Sequence, residues 1–270
     1  MSNLFSVKGK VVVITGGCGI LGSCMVHHLT SEGARLAILD RDKKRGEELV
    51  NEVKSNKGEA IFLETDVLNK EVLELNRTHI MAYYGTIDVL INAAGGNMPG
   101  ATIAPDKTIF DLNMGDFEKV VDLNLYGTVL PTLVFGKVMA ENEKGSIVNI
   151  SSESALRPLT RVVGYGTAKA AVTNFTKYLA AEMAIKFGSD IRVNAMAPGF
   201  FLTEQNRTLL TNPDGTYTER ARSIIAHTPA GRFGKPEELL GTLQWLISDA
   251  SKFVTGTVVV IDGGFDAFSI

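Results

Sequence analysis

Tyr165 and Lys169 stand four residues apart in the run Tyr-Gly-Thr-Ala-Lys-Ala-Ala-Val, which reads as helix. That spacing projects both side chains from one helix face. An ammonium beside a phenol stabilises the phenolate, so the ordinary tyrosine pKa of ~10 is expected to fall and Tyr165 to serve as an acid/base near neutral pH. Ser152 ends an earlier apolar run, and a hydroxyl on a rigid strand end can position and polarise a reacting carbonyl or alcohol. Alone, Tyr-x-x-x-Lys is also the pattern of an amphipathic surface pair. A second constellation decides between the two.

That constellation is Thr15-Gly16-Gly17-Cys18-Gly19-Ile20-Leu21-Gly22, placed between a predicted strand and a predicted helix. It contains Gly17-x-Gly19-x-x-Gly22, and an acidic residue, Asp40, closes the second strand about 20 residues on. Glycines let the backbone turn tightly against a pyrophosphate, whose charge is met by free N–H groups and the positive end of a helix dipole. Gly16, Cys18, Gly19, Ile20 and Leu21 are therefore candidate dinucleotide contacts, with Asp40 accepting from ribose hydroxyls. A carboxylate there repels the 2′-phosphate of NADP and favours NAD. The adjacent Arg41 could instead hold that phosphate, which leaves NADP open.

These residues need a scaffold. Nearly continuous β-branched runs at 11–15, 35–40, 60–66, 87–93, 146–152, 191–197 and 257–262 alternate with segments of helical spacing. Apolar runs without alternation are those of parallel strands covered on both faces. The pattern predicts α/β architecture: a single Rossmann domain over residues 1–270, a doubly wound seven-stranded parallel sheet with helices on both faces. Two long connections, near 95–115 and 200–234, leave the carboxyl ends of strands and are expected to frame the substrate site. With 27 Lys+Arg against 30 Asp+Glu, the net charge of −3 is too small for nucleic acid or an anionic membrane as partner. No targeting segment or bilayer-length apolar run is read, and two cysteines suit a reducing compartment, so a cytoplasmic protein is expected.

With Asp66-Val67, Asn92-Ala93-Ala94-Gly95, Asn124, Asn194, Pro198-Gly199 and Asp262-Gly263-Gly264 added to Ser152, Tyr165, Lys169 and the glycine turn, the whole chain resembles a short-chain dehydrogenase/reductase. The resemblance implies that Asp66 and Val67 lie against the adenine, and that Asn92, Ala93, Ala94 and Gly95 line the cofactor cleft. It likewise implies that Pro198, Gly199, Phe201 and Thr203 reach the nicotinamide end. Lys169 would bind the nicotinamide ribose beside Tyr165, and Asn124 would hold a water joining Lys169 to solvent. One departure is visible: many members have Thr-Gly-x-x-x-Gly-x-Gly, whereas here Ile20 stands at the middle glycine and Gly19 one place earlier.

Around the predicted pocket stand Asn97, Ser152, Ser154, Arg157 and Arg161, then Gln205, Asn206 and Arg207. Arginine binds carboxylates in a fork and amides meet hydroxyls, so a sugar-acid substrate is expected, with Arg207 first as carboxylate partner. Ala-Ala-Gly-Gly-Asn with Pro-Gly-Phe-Phe-Leu-Thr-Glu-Gln-Asn-Arg is most similar to the fructuronate reductase (D-mannonate oxidoreductase) group. Another sugar-acid or polyol dehydrogenase, such as a gluconate dehydrogenase, and a non-catalytic nucleotide-binding regulator are the alternatives. The histidines and cysteines lack metal-ligand spacing, so no metal is expected. The family implies a homo-oligomer, commonly a tetramer, and the apolar C-terminal tail from Phe265 would suit a partner.

Overall fold

The computed structural model describes residues 3–202 and 210–268. Seven strands form one sheet: β1 (Val11–Thr15), β2 (Arg35–Asp40), β3 (Glu59–Glu64), β4 (Val89–Asn92), β5 (Lys144–Ile150), β6 (Asp190–Pro198) and β7 (Val258–Ile261). They lie in the order β3-β2-β1-β4-β5-β6-β7, every neighbouring pair parallel. Between them run α1 (Ile20–Ser31), α2 (Lys43–Ser55), α3 (Lys70–Tyr84), α4 (Met114–Val121), α5 (Gly127–Glu141), α6 (Val163–Lys186), α7 (Glu219–Ala226) and α8 (Leu240–Ile247). The doubly wound parallel sheet expected from the pattern is present.

Two-sided burial explains why the strands do not alternate in polarity. Along β1, Val12 and Ile14 enter the core shared with α1, α2 and α8, while Val11 and Val13 enter the opposite core with α3, α5 and α6. Each such side chain contributes roughly 1.5–3 kcal/mol when withdrawn from water, so a polar residue on either face would cost. Helix starts are set locally: Asp42 caps α2, Asn69 caps α3 and Thr218 caps α7 through side-chain acceptance from the third residue on. Gly85 ends α3 in the left-handed conformation at φ 79°.

Two expectations need correction here. β5 stops at Ile150, so Ser152 does not end the strand; it caps the 3₁₀ turn Glu153–Ala155, its Oγ accepting from Ser154 N–H at 3.2 Å. Serine's affinity for caps outweighs continuation of the ladder. Second, α4, a π-helical turn at Asp122–Tyr126 and α5 run on as one helical stretch, Met114–Glu141, long and apolar enough by composition to cross a membrane. More than half of its most apolar window is buried inside the fold, where it covers the sheet.

The chain winds outward from β1 through β2 to β3, then returns to β4 on the other side of β1. Ligands of open α/β sheets bind outside the carboxyl ends of the strands at such a reversal. There the N–H groups of Ala93 and Ala94 both donate to Thr15 Oγ1, at 3.2 Å each, joining the ends of β1 and β4.

Candidate active site

At the reversal, the turn from β1 into α1 is shaped by contacts that only glycine permits. Gly16 has φ 65°, and a Cβ there would lie 2.7 Å from Ala94 Cα; a Cβ on Gly22 would run into the Gly16 carbonyl oxygen. The N–H groups of Ile20, Leu21 and Gly22 have no hydrogen-bond partner among the described residues, and Gly19 caps α1 with no side-chain acceptor. This is a cradle for an anion such as a dinucleotide pyrophosphate, and it survives the shifted middle glycine. Asp40 sits at the end of β2, its Oδ2 accepting from Cys18 N–H at 3.0 Å and its Oδ1 from Asp42 N–H at 3.1 Å. The carboxylate thus braces the turn, with Arg41 exposed beside it. Burial and the charges of Asp40 and Asp42 push the Cys18 thiol up to about 12, so it is a packing residue and no nucleophile.

Further along the cleft, Asp66 is exposed and accepts from Leu68 N–H at 2.9 Å, while Val67 is buried. Asn92 is turned inward: its amide donates to Thr132 Oγ1 and Asn149 Oδ1 at 2.9 and 2.8 Å, so it supports the cleft without lining it. Gly95 is where the machinery converges, since a Cβ on it would stand 2.7 Å from Asn124 Oδ1 and 3.2 Å from Lys169 Nζ. Asn124 is fully buried, its amide engaged with both Gly96 backbone groups and with the Val120 carbonyl. Its amide therefore clamps the 95–96 segment. Pro198 ends β6, Gly199 packs on Asp262, and Phe201 is buried beside Gly234. Asn194 ties β6 to the entry of β7 through Val254 and Thr257. Thr203, Gln205, Asn206 and Arg207 lie outside the described residues.

On α6, Lys169 Nζ lies 5.5 Å from the centre of the Tyr165 ring and donates to the Ile150 carbonyl at 2.7 Å. Burial pushes Lys169 down to about 8, leaving most of it protonated at neutral pH. Burial raises the Tyr165 phenol above its ordinary value, and the Ser152 hydroxyl beside it works in the opposite direction. Desolvation of the anion outweighs the help of the Ser152 hydroxyl.

The substrate-side candidates divide. Ser154 Oγ donates to Ser152 Oγ at 3.0 Å, and Asn97 is exposed and donates to Thr102 Oγ1 at 3.0 Å. Arg157 is taken: its Nε donates to Asp266 Oδ1 at 2.8 Å, and its other nitrogens donate to the Asp266 and Phe268 carbonyls. It fastens the C-terminal tail and is not a carboxylate partner for substrate. That tail folds back on its own chain, Phe265 meeting Phe200 and His227 edge-on at 5.1 and 4.7 Å. Arg161 is exposed on the rim of a cleft it shares with Arg220. Two residues that sequence reasoning passed over are Arg220 and Glu153. Glu153 follows Ser152 and is 1% exposed, with neither carboxylate oxygen hydrogen-bonded. Burial, then the charges of Asp266 and Asp262, push it up to about 7.

Residues 19–266 match the family model described as enoyl-(acyl carrier protein) reductase. The uncharacterized oxidoreductase UxuB of Bacillus subtilis (strain 168) is 44% identical over 273 residues, covering 98% of this chain and 97% of that protein. The chain belongs to the short-chain dehydrogenase/reductase family. It is an oxidoreductase. Among solved short-chain dehydrogenases, a Haemophilus influenza protein provisionally named a D-mannonate oxidoreductase, with bound NAD, superimposes with TM-score 0.92 at 40% identity, covering 99% of both chains. A gluconate 5-dehydrogenase from Burkholderia cenocepacia, in complex with NADP and tartrate, gives TM-score 0.85 at 28% identity over 98% of both.

Proposed function

We propose that the protein is an NAD(P)-dependent dehydrogenase interconverting a secondary alcohol and a ketone on a sugar acid, fructuronate and mannonate being the leading pair. The observation that carries the reading is the convergence of Lys169 and Asn124 on Gly95, beside Tyr165 and Ser152 and next to the anion cradle. The cradle suits the pyrophosphate, Asp40 the adenosine ribose, and Asp66-Val67 the adenine rim, within a single domain whose 95–115 and 200–234 connections flank the substrate. Asp40 favours NAD, and Arg41 leaves NADP accessible.

A nicotinamide dinucleotide held by the glycine cradle, Asp40 and Lys169 would supply the hydride acceptor and, when oxidised, positive charge beside Tyr165. Tyr165 then takes the alcohol proton during oxidation and returns it to the ketone oxygen during reduction. Ser152 Oγ, held by Ser154, orients the reacting oxygen toward Tyr165. Lys169, fixed by the Ile150 carbonyl, keeps its charge against the phenol. Gly95 leaves the room in which both amine and amide can approach.

The sugar-acid part of the reading is supported by the names carried by the two solved neighbours, mannonate for one and gluconate for the other. Exposed Leu133 and Tyr126 at α5, and Tyr178 and Ile185 on α6, support self-association as a homo-oligomer, and we expect a cytoplasmic enzyme. The test is a panel of fructuronate, other keto-acids of equal size and uncharged ketoses, with NADH or NADPH consumption followed optically. Reduction of fructuronate fastest supports the reading. A faster keto-gluconate moves the substrate within the class, and no turnover of any carbonyl leaves a nucleotide-binding regulator.

A further inference from the structure

A cleft of about 720 Å³ opens between residues 158–161, α7 and the C-terminal turn, with Phe200, Ile224 and Phe265 among its apolar walls. Two arginines reach it, Arg161 and Arg220. Arg220 is half-buried yet makes no hydrogen bond or ion pair among the described residues, and burial followed by the charge of Arg161 holds its pKa below the ordinary value. Arg161 is likewise without an ion pair among the described residues. Its backbone sits at φ 77°, in the left-handed region, fixed by the Ile103 N–H donating to its carbonyl at 2.9 Å. Glu219 also borders the cleft but forms no ion pair with either.

Neighbouring arginines are different. Arg157 is bound to Asp266, Arg232 to Glu238 at 2.6 and 2.8 Å, and Arg222 to the Tyr217 carbonyl at 2.6 Å. A desolvated guanidinium facing a second one, on an apolar wall, is unfavourable unless an anion joins them. A carboxylate relieves both terms, because it accepts paired N–H donors in the fork geometry that arginine presents. The cleft is lined from segments that also carry site residues: along the chain Arg161 lies four residues before Tyr165, and Phe200 directly follows Gly199.

We propose that Arg161 and Arg220 are the carboxylate clamp of the substrate site, gripping the acid end of a hexonate while its alcohol faces Tyr165 and Ser152. The assignment rests on the sugar-acid reading above and adds which groups recognise the acid. It displaces Arg157, which the tail occupies.

The test is calorimetric titration of NADH-loaded protein with D-mannonate, D-gluconate and uncharged D-mannitol, for the wild type and for Arg220→Met, Arg220→Lys and Arg161→Met. Because neither guanidinium has a partner among the described residues and Arg220 is desolvated, the variants are expected to melt no lower than the wild type. Loss of charged hydrogen bonds should weaken binding of the preferred acid by at least about tenfold in each Met variant, with Arg220→Lys in between and mannitol binding little changed. A wild type that prefers an acid, with all variants binding it equally well, overturns the clamp and leaves the sugar-acid reading standing. A wild type with no preference for either acid over mannitol overturns both.

Discussion

Glu153 offers a measurement in which the fold itself reports on the site. Its carboxyl is 1% exposed, has no hydrogen-bond donor among the described residues, and lies near the charges of Asp262 and Asp266, which Arg157 opposes. The ordinary value of 4.5 becomes about 7 in the folded protein. The folded state therefore holds this proton more tightly than the unfolded chain does. Below pH ~4.5 the group is neutral in both states and costs nothing; between ~4.5 and ~7 stability falls as pH rises; above ~7 the loss is complete and constant. At ~1.36 kcal/mol per tenfold change in proton affinity, the full loss is about 3 kcal/mol. For a chain of this size that corresponds to roughly 5 °C or more in Tm.

Glu153→Gln keeps the shape and removes the titration. Thermal unfolding followed by circular dichroism, at fixed protein concentration and at pH 5, 6, 7 and 8, should give nearly equal Tm values for the two proteins at pH 5. The variant should pull ahead steadily and be higher by roughly 5 °C at pH 8. Curves that stay parallel across the range would mean that Glu153 finds a donor or solvent in solution, and the reasoning from its isolation would fail. A variant less stable at every pH would mean that the protonated carboxyl donates a hydrogen bond the structure does not show.

Tyr165→Phe should lower kcat by roughly 10²–10⁴-fold while leaving NAD affinity, measured by fluorescence titration, close to the wild type, because it deletes the proton donor and nothing in the cradle. Ser152→Ala should act in the same direction more mildly, and turnover undiminished in either would remove the assigned roles. Wild-type protein should bind NAD more tightly than NADP, and Asp40→Ala should weaken NAD and narrow the difference, since it removes both the ribose acceptor and the repelling charge. Tighter binding of NADP by the wild type would show that Arg41 prevails over Asp40.

What the sequence disclosed was whatever depends on neighbours in the chain. The two-sided strands, the glycines between β1 and α1, and the four-residue spacing of Tyr165 and Lys169 on α6 each depend on residues close together in the chain. Ser152 shows the limit of that logic even locally: its hydroxyl competes for a cap, so the strand ends before it. Arg157 and Glu153 show the limit at long range. Both sit within a few residues of Ser152, yet their states are set by Asp262 and Asp266, more than a hundred positions away, after β7 turns the tail back.

The same tail decides between arginines that look equivalent as letters. An arginine in the loop after Ser152 is a plausible carboxylate partner until Asp266 reaches it; then its donors are occupied and its charge is met. Arg220, in a helix inside the second long connection with no motif around it, becomes the stronger candidate because it is half-buried, unpaired among the described residues and lines one cleft with Arg161. Pairing is a property of the folded chain, and a guanidinium kept unpaired against an apolar wall is held at a cost that ligand binding can offset. Specificity for an acid would thus reside in the arginines the fold leaves unpaired, while the one nearest the catalytic serine in sequence holds the tail in place.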